Sequence, residues 1–246
     1  MSSSSTSVAT MPEHRRISLI AGVLYLLTFV SIPTLALYKP VKGRSYVLGS
    51  GPDTSAVTGG ILEIIVALAG IGTAVVLFPL LKKQSESAAL GLVAARILES
   101  ATIFVGVAFL LSIVTLRRSG TSHEALATSH ALVALYDRIF LLGQSFMPAV
   151  CDLLLGFLLY RSRLVPRGLS IIGIVGGPLL LVGYLAVMFD LVAQHSTWAG
   201  LSALAVAVFE FSLGVWLVVK GFDPGAVAEL EARGRNQPTA IQPPLI

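Results

Sequence analysis

The sequence predicts an all-α fold, a polytopic membrane bundle of six transmembrane helices. Three observations predict it. Of the 246 residues, 55% are hydrophobic and only 12% are charged, whereas soluble domains run near ~25% charged. The mean hydropathy is +0.85. Six apolar runs, at about 17–38, 56–81, 88–116, 139–160, 168–192 and 199–220, each supply the ~20 residues a helix needs to cross a ~30 Å hydrocarbon core.

Residues 1–14 are Ser/Thr-rich without an apolar period and read as a disordered cytoplasmic tail. His14, Arg15 and Arg16 flank the first run. That run is too long for a signal-peptide core and no small-x-small site closes it cleanly, so it reads as an uncleaved helix. Lys39 to Ser55, with Pro40, Gly43, Gly49, Gly51 and Pro52, reads as a loop. In the second run Gly59, Glu63, Ala67, Gly70 and Ala74 recur at helical spacing, a small-residue seam carrying one acid. Gln84 to Ser87 is a tight turn into the third run, and Arg117 to Arg138 is a polar stretch with room for a short interfacial helix.

In the fourth run Gln144, Pro148, Asp152 and Gly156 repeat every four residues, a polar stripe on a Leu/Phe surface. Pro148 has no N–H, so the helix should kink where the Gln144 carbonyl loses its partner. Arg161, Arg163 and Arg167 form a basic turn around Pro166 and are expected to contact lipid headgroups. The fifth run holds a Gly173/Gly177 packing pair and Pro178, and ends near Asp190, which should face Arg138 at the same interface. The sixth places Ala203, Ala207, Glu210 and Gly214 on one face. Residues 15–222 form the membrane domain, and 223–246 read as a cytoplasmic tail with a short helix at 226–232 and then disorder.

Six spans put both termini on one side. Arg15, Arg16, Lys82, Lys83, Arg161, Arg163, Arg167, Lys220, Arg233 and Arg235 share that side, against Lys39, Lys42, Arg44, Arg117, Arg118 and Arg138 opposite. This bias places both termini in the cytoplasm of a cell-membrane protein.

The third run carries Arg96 and Glu99, and each charge costs roughly 2.5–3.5 kcal/mol at a helix centre. Three apart, they share a face and can pair. At ~1.5 Å per residue, Glu99, Asp152 and Glu210 fall at similar depth near mid-membrane, on independent helices. They are expected to line one cavity with Arg96, with Glu63 marking its mouth. Three acids and one arginine cannot all pair one to one, so some are protonated, or water or a cation shares the site.

Several chemistries find no motif. There is no HExxH and no phosphate-cradling GxxxxGK[ST]. Gly143-Gln144-Ser145-Phe146-Met147 fails as a nucleophile elbow at Met147, and Tyr136-Asp137 lacks the GxGD context of intramembrane aspartyl proteases. The lone cysteine, Cys151, cannot form an internal disulfide. No metal site is assigned; His123, His130 and His195 could meet on the outer side, but loop histidines are more often solvated. No basic patch interleaved with aromatics points to nucleic acid.

RRISLIAGVLYLLTF near the start, the central ARILES, RSRLVPRGLSIIGIVGG and FEFSLGVWLVVKGFDP near the end resemble the uncharacterised bacterial integral membrane family DUF4386. The resemblance spans about Arg16 to Pro224. It implies an integral membrane protein without an assigned activity, with Arg96, Glu99, Arg163, Pro166, Arg167 and Glu210 as signature positions of unstated role. The sequence reads first as a structural or assembly membrane protein with a mid-membrane polar cluster. The alternative is a small proton-coupled carrier using the acid layer as its site; an intramembrane enzyme comes third, and no catalytic residue is named. The partners are the lipid bilayer and a second copy in a homo-oligomer, with no nucleic acid, and no cofactor can be named.

Overall fold

In the computed structural model, which describes residues 12–49, 53–119, 123–194 and 196–236, six helical stretches are long and apolar enough to cross a membrane. The first comprises α1 (Glu13–Thr28), a 3₁₀ turn Phe29–Ser31 and the short α2 (Thr34–Leu37). α3 (Thr54–Leu81) and α4 (Glu86–Ser119) follow. α5 (His123–Phe140), a π-helical segment Leu141–Phe146 and α6 (Met147–Ser162) run on as one stretch. α7 (Arg167–Met188) and α8 (Thr197–Val219) complete the six, and α9 (Pro224–Asn236) follows. Among the described residues there is no strand.

Each span packs on its sequence neighbours, and the first packs on the last, so the six close into a ring. Small residues set the approach distances, because lipid tails offer helices no hydrophobic drive to associate. A Cβ at Gly22 of α1 would meet the Gly214 carbonyl of α8 at 2.8 Å, and one at Gly173 of α7 would meet the Phe209 ring of α8 at 2.7 Å. At Gly156 of α6 it would meet the backbone of α7, Ile174 N at 2.9 Å and Ser170 O at 3.0 Å. The GxxxG pair of α7 therefore serves two neighbours, with Gly173 against α8 and Gly177 against the Ala149 carbonyl of α6 at 2.7 Å.

The structure differs from the sequence expectations in several places. The first span breaks at Pro33, where the chain turns between the 3₁₀ segment and α2. The polar stretch before the fourth span is not a separate interfacial helix, because α5 runs directly into the membrane segment. The expected proline distortion takes the form of the π segment just before Pro148: one residue is inserted into the turn where the proline cannot donate. Arg138 and Asp190 form no ion pair among the described residues; Asp190 takes φ 55° as the chain leaves α7, and Gln194 Nε2 bonds the Asp137 carbonyl at 3.3 Å. The C-terminal helix extends to Asn236 rather than Ala232. It is packed, with Val227 and Leu230 in the main apolar core, because its apolar positions recur on one face. The disorder expected for residues 1–11 and 237–246 lies outside the described residues.

At the terminal end, Arg15 donates to the Leu217 and Val218 carbonyls at 2.9 and 2.5 Å, serving the free carbonyls that end α8. The Asp223 N–H bonds the Leu164 carbonyl at 2.9 Å, and Glu231 lies 3.1 Å from His14 and 3.9 Å from Lys83. Between Arg161, Arg163 and Arg167, which are exposed, Leu164 and Val165 plug into the core. Arg161 and Arg167 lie over the Phe157 and Tyr160 rings at 5.9 and 5.3 Å, and Arg163 ends α6 in the left-handed region at φ 57°.

Candidate functional site

Inside the ring, α4, α6 and α8 bring four charged side chains to one point. Arg96 and Glu99 share a face of α4, and Arg96 Nη1 donates to Glu99 Oε2 at 3.0 Å. Across the bundle Arg96 Nη2 donates to Glu210 Oε1 of α8 at 2.6 Å, and the same nitrogen lies 3.7 Å from Asp152 Oδ1 of α6. The planar guanidinium thus forks between two carboxylates, a geometry its rigid donors suit. Below it lies the Tyr25 ring of α1, 5.7 Å away. The Cys151 thiol donates to Glu99 Oε2 at 3.6 Å.

Burial is nearly complete: Arg96 is 3% exposed, Glu99 9% and Asp152 0%. Gly70 of α3 faces the cluster at ordinary contact distance, where a Cβ would lie 3.7 Å from Ser100 Oγ and 4.0 Å from Arg96 Cδ. Ser100 Oγ ties the two helices there, donating to the Ala67 carbonyl at 2.8 Å. In the cluster Arg96 Nε is buried with no hydrogen-bond partner.

A cavity of about 290 Å³ adjoins the cluster. Arg96, Glu99, Glu210, Gln144, Pro148 and Tyr184 are among its walls. The lining draws on all six spans. Asp152 is behind the wall rather than in it, reached through Arg96.

Glu63 is not at a mouth. It is 1% exposed on α3 and bonded by the Tyr136 hydroxyl at 3.3 Å and Gln144 Nε2 at 3.4 Å, apart from the four-residue cluster. The sequence placed it nearer the outer surface by counting residues. Tyr38, packed on the neighbouring Gly59, covers it. Among the described residues no three His, Cys, Asp or Glu side chains gather as metal ligands, and His195 lies outside those residues.

Several contributors were missed in the sequence. Tyr25 and Cys151 reach Arg96 and Glu99 only through packing of α1 and α6. Asp53 accepts from Tyr46 at 2.7 Å and pairs with Arg117 at 2.9 Å and Arg118 at 2.8 Å, closing the loop end. The Tyr46 hydrogen bond foremost, with the two arginines, holds the Asp53 carboxyl below the usual carboxylate range, while burial pushes the Tyr46 phenol up to about 12.

Chemically, the cluster can bind, orient or exchange charge: Arg96 faces three carboxyl groups beside a cavity. No curated protein and no solved structure matches the chain. Residues 20–221, which include every residue of the cluster, match the family described as Domain of unknown function (DUF4386), and the chain belongs to that family.

Proposed function

We propose that this membrane protein is a small proton-linked carrier, with Glu99, Asp152 and Glu210 as proton- or cation-binding groups and Arg96 as their fixed counter-charge. The observation that carries the reading is Asp152: fully buried, 3.7 Å from a guanidinium that two other acids already engage, and facing one of those acids, Glu210, a contact that only a proton or cation between the two carboxyl groups makes favourable. Polar groups that serve only to hold helices together satisfy one another. With all three acids ionised the cluster would hold an excess of negative charge that a buried site does not tolerate. A mobile proton or cation completes it, and the adjoining cavity has room for several waters or a small solute.

A structural or assembly role is the second reading, supported by the way Arg96 joins α4 to α8. The Lys/Arg distribution supports a cell-membrane protein with both termini cytoplasmic; a reporter fused after Phe222 should read cytoplasmic.

The test is reconstitution into liposomes containing a pH-sensitive dye, with a pH gradient imposed. The wild type should dissipate it faster than empty liposomes, and Asp152→Asn should abolish the effect while melting normally. Wild-type liposomes no leakier than empty ones, with loss of oligomer on neutralising the acids, would favour the assembly role.

A further inference from the structure

A second buried carboxyl group lies between the central cavity and the loop end of the bundle. Glu63 Oε1 accepts from Tyr136 and Gln144, and the buried Tyr38 hydroxyl faces the same carboxyl group. A carboxyl this deep is costly, and the side chains that hydrogen-bond it are neutral, so no ion pair within the described residues offsets its charge.

On the loop side Tyr38 and Tyr136 meet edge to face, with centroids 5.7 Å apart. Above Tyr136 sits Lys42, 5.1 Å from the ring centroid and paired with Asp137 at 2.5 Å. These four residues line a separate cavity of about 530 Å³, together with the exposed Lys39. On the other side Gln144 lines the central cavity with Arg96, Glu99 and Glu210. Gln144 therefore touches both Glu63 and the central cavity. It owes its position to the π segment Leu141–Phe146, whose extra residue re-aims the side chains around it.

We propose that Glu63 is the proton-loading group on the loop side of the carrier, with Tyr38 and Tyr136 as the gate above it and Gln144 as the positioning residue that joins it to the central cavity. This rests on the carrier reading of the Arg96 cluster. A proton from loop-side water binds the Glu63 carboxylate, passes to water in the central cavity, and binds a carboxylate of that cluster. Only O–H bonds form and break, and no electrons are transferred. The polar groups facing Glu63 are Tyr38, Tyr136 and Gln144, with the charge of Lys42 beyond Tyr136. Arg96 is engaged with the other three acids, so no guanidinium holds Glu63 permanently ionised.

Dye-loaded liposomes carrying wild type, Glu63→Gln, Glu63→Asp or Tyr136→Phe receive an acid step on the loop side. Glu63→Gln should slow proton entry about 100-fold, the lower end of what a positioned proton-transfer group contributes. Glu63→Asp should recover part of that rate. A Glu63→Gln rate equal to wild type overturns the proposal and leaves the carrier reading standing; a wild type no faster than empty liposomes overturns the carrier reading itself. Infrared difference spectra after a pH step in nanodiscs test Glu63 whether or not protons cross. A protonated-carboxyl band that disappears in Glu63→Gln supports the assignment, and spectra identical to wild type overturn it. If Glu63→Gln fails to fold, the same band should shift in Tyr136→Phe, which removes a hydrogen bond to the carboxyl, and an unshifted band overturns the proposal.

Discussion

Replacing Arg96 by Gln removes the one cation that, among the described residues, pairs with Glu99, Asp152 and Glu210. The guanidinium makes two charge-assisted hydrogen bonds, 3.0 Å to Glu99 and 2.6 Å to Glu210. Each is worth about 1.5–3 kcal/mol, and removing one partner of a buried ion pair costs about 3–5 kcal/mol. Glutamine still donates to one carboxyl group, so the expected loss is about 3 kcal/mol at pH 8, near the lower end of that range. Lysine keeps the charge but cannot fork between two carboxylates, and should lose about half as much. Reversible unfolding in mixed SDS micelles measures both. The pH dependence gives a sharper criterion. A carboxyl group can shed its charge by taking a proton, whereas a guanidinium cannot. The Arg96→Gln deficit should therefore shrink on acidification. The deficit of the double variant Glu99→Gln/Glu210→Gln, which strands the guanidinium with only Asp152 at 3.7 Å, should not. Glu99→Gln alone should be mild, because Glu210 remains at 2.6 Å. An Arg96→Gln protein within about 0.5 kcal/mol of wild type, or a deficit that grows with acid, would refute the reasoning.

Three further outcomes are expected. Asp53→Asn should destabilise the loop end at neutral pH, and because the folded carboxyl titrates below its unfolded value, the stability it contributes is present above that unfolded value, ~3.9, and is lost as pH falls through the folded one. Wild-type and variant melting curves should therefore converge in strong acid and stay apart at pH 7. Gly156→Ala should cost about 1–3 kcal/mol by pressing a methyl onto the α7 backbone, whereas Gly91→Ala, whose Cβ would sit 3.7 Å from Leu154 Cδ1, should be close to neutral in the same unfolding assay. Replacing the exposed Arg163 and Arg167 together by Ala should weaken binding to liposomes rich in anionic lipid by about 2 kcal/mol, on the basis of ~1 kcal/mol for each residue near a headgroup surface; retention of that lipid in native mass spectrometry is the measurement.

The six spans were legible in the chain because a membrane-crossing helix must satisfy its backbone internally and face hydrocarbon over a fixed thickness, a demand met by composition and length alone. That Glu99, Asp152 and Glu210 could gather around Arg96 was legible in part, since a helix converts residue count directly into height. Rotation about each helix axis is not recorded that way. That Arg96 takes Glu210 of α8 at 2.6 Å while Asp152 lies at 3.7 Å depends on how α4, α6 and α8 turn toward one another, which is set by packing at seams such as those of Gly156 and Gly173. Glu63 shows the same limit. Its depth could be counted, but its cover of Tyr38 and Tyr136 comes from a chain break at Pro33 and from α5 running unbroken into the membrane. The sequence by itself determined the all-helical class and the number of spans. The tertiary structure decided which charges meet, because contact between helices is set by side-chain fit at several seams at once, and no single helix carries that information.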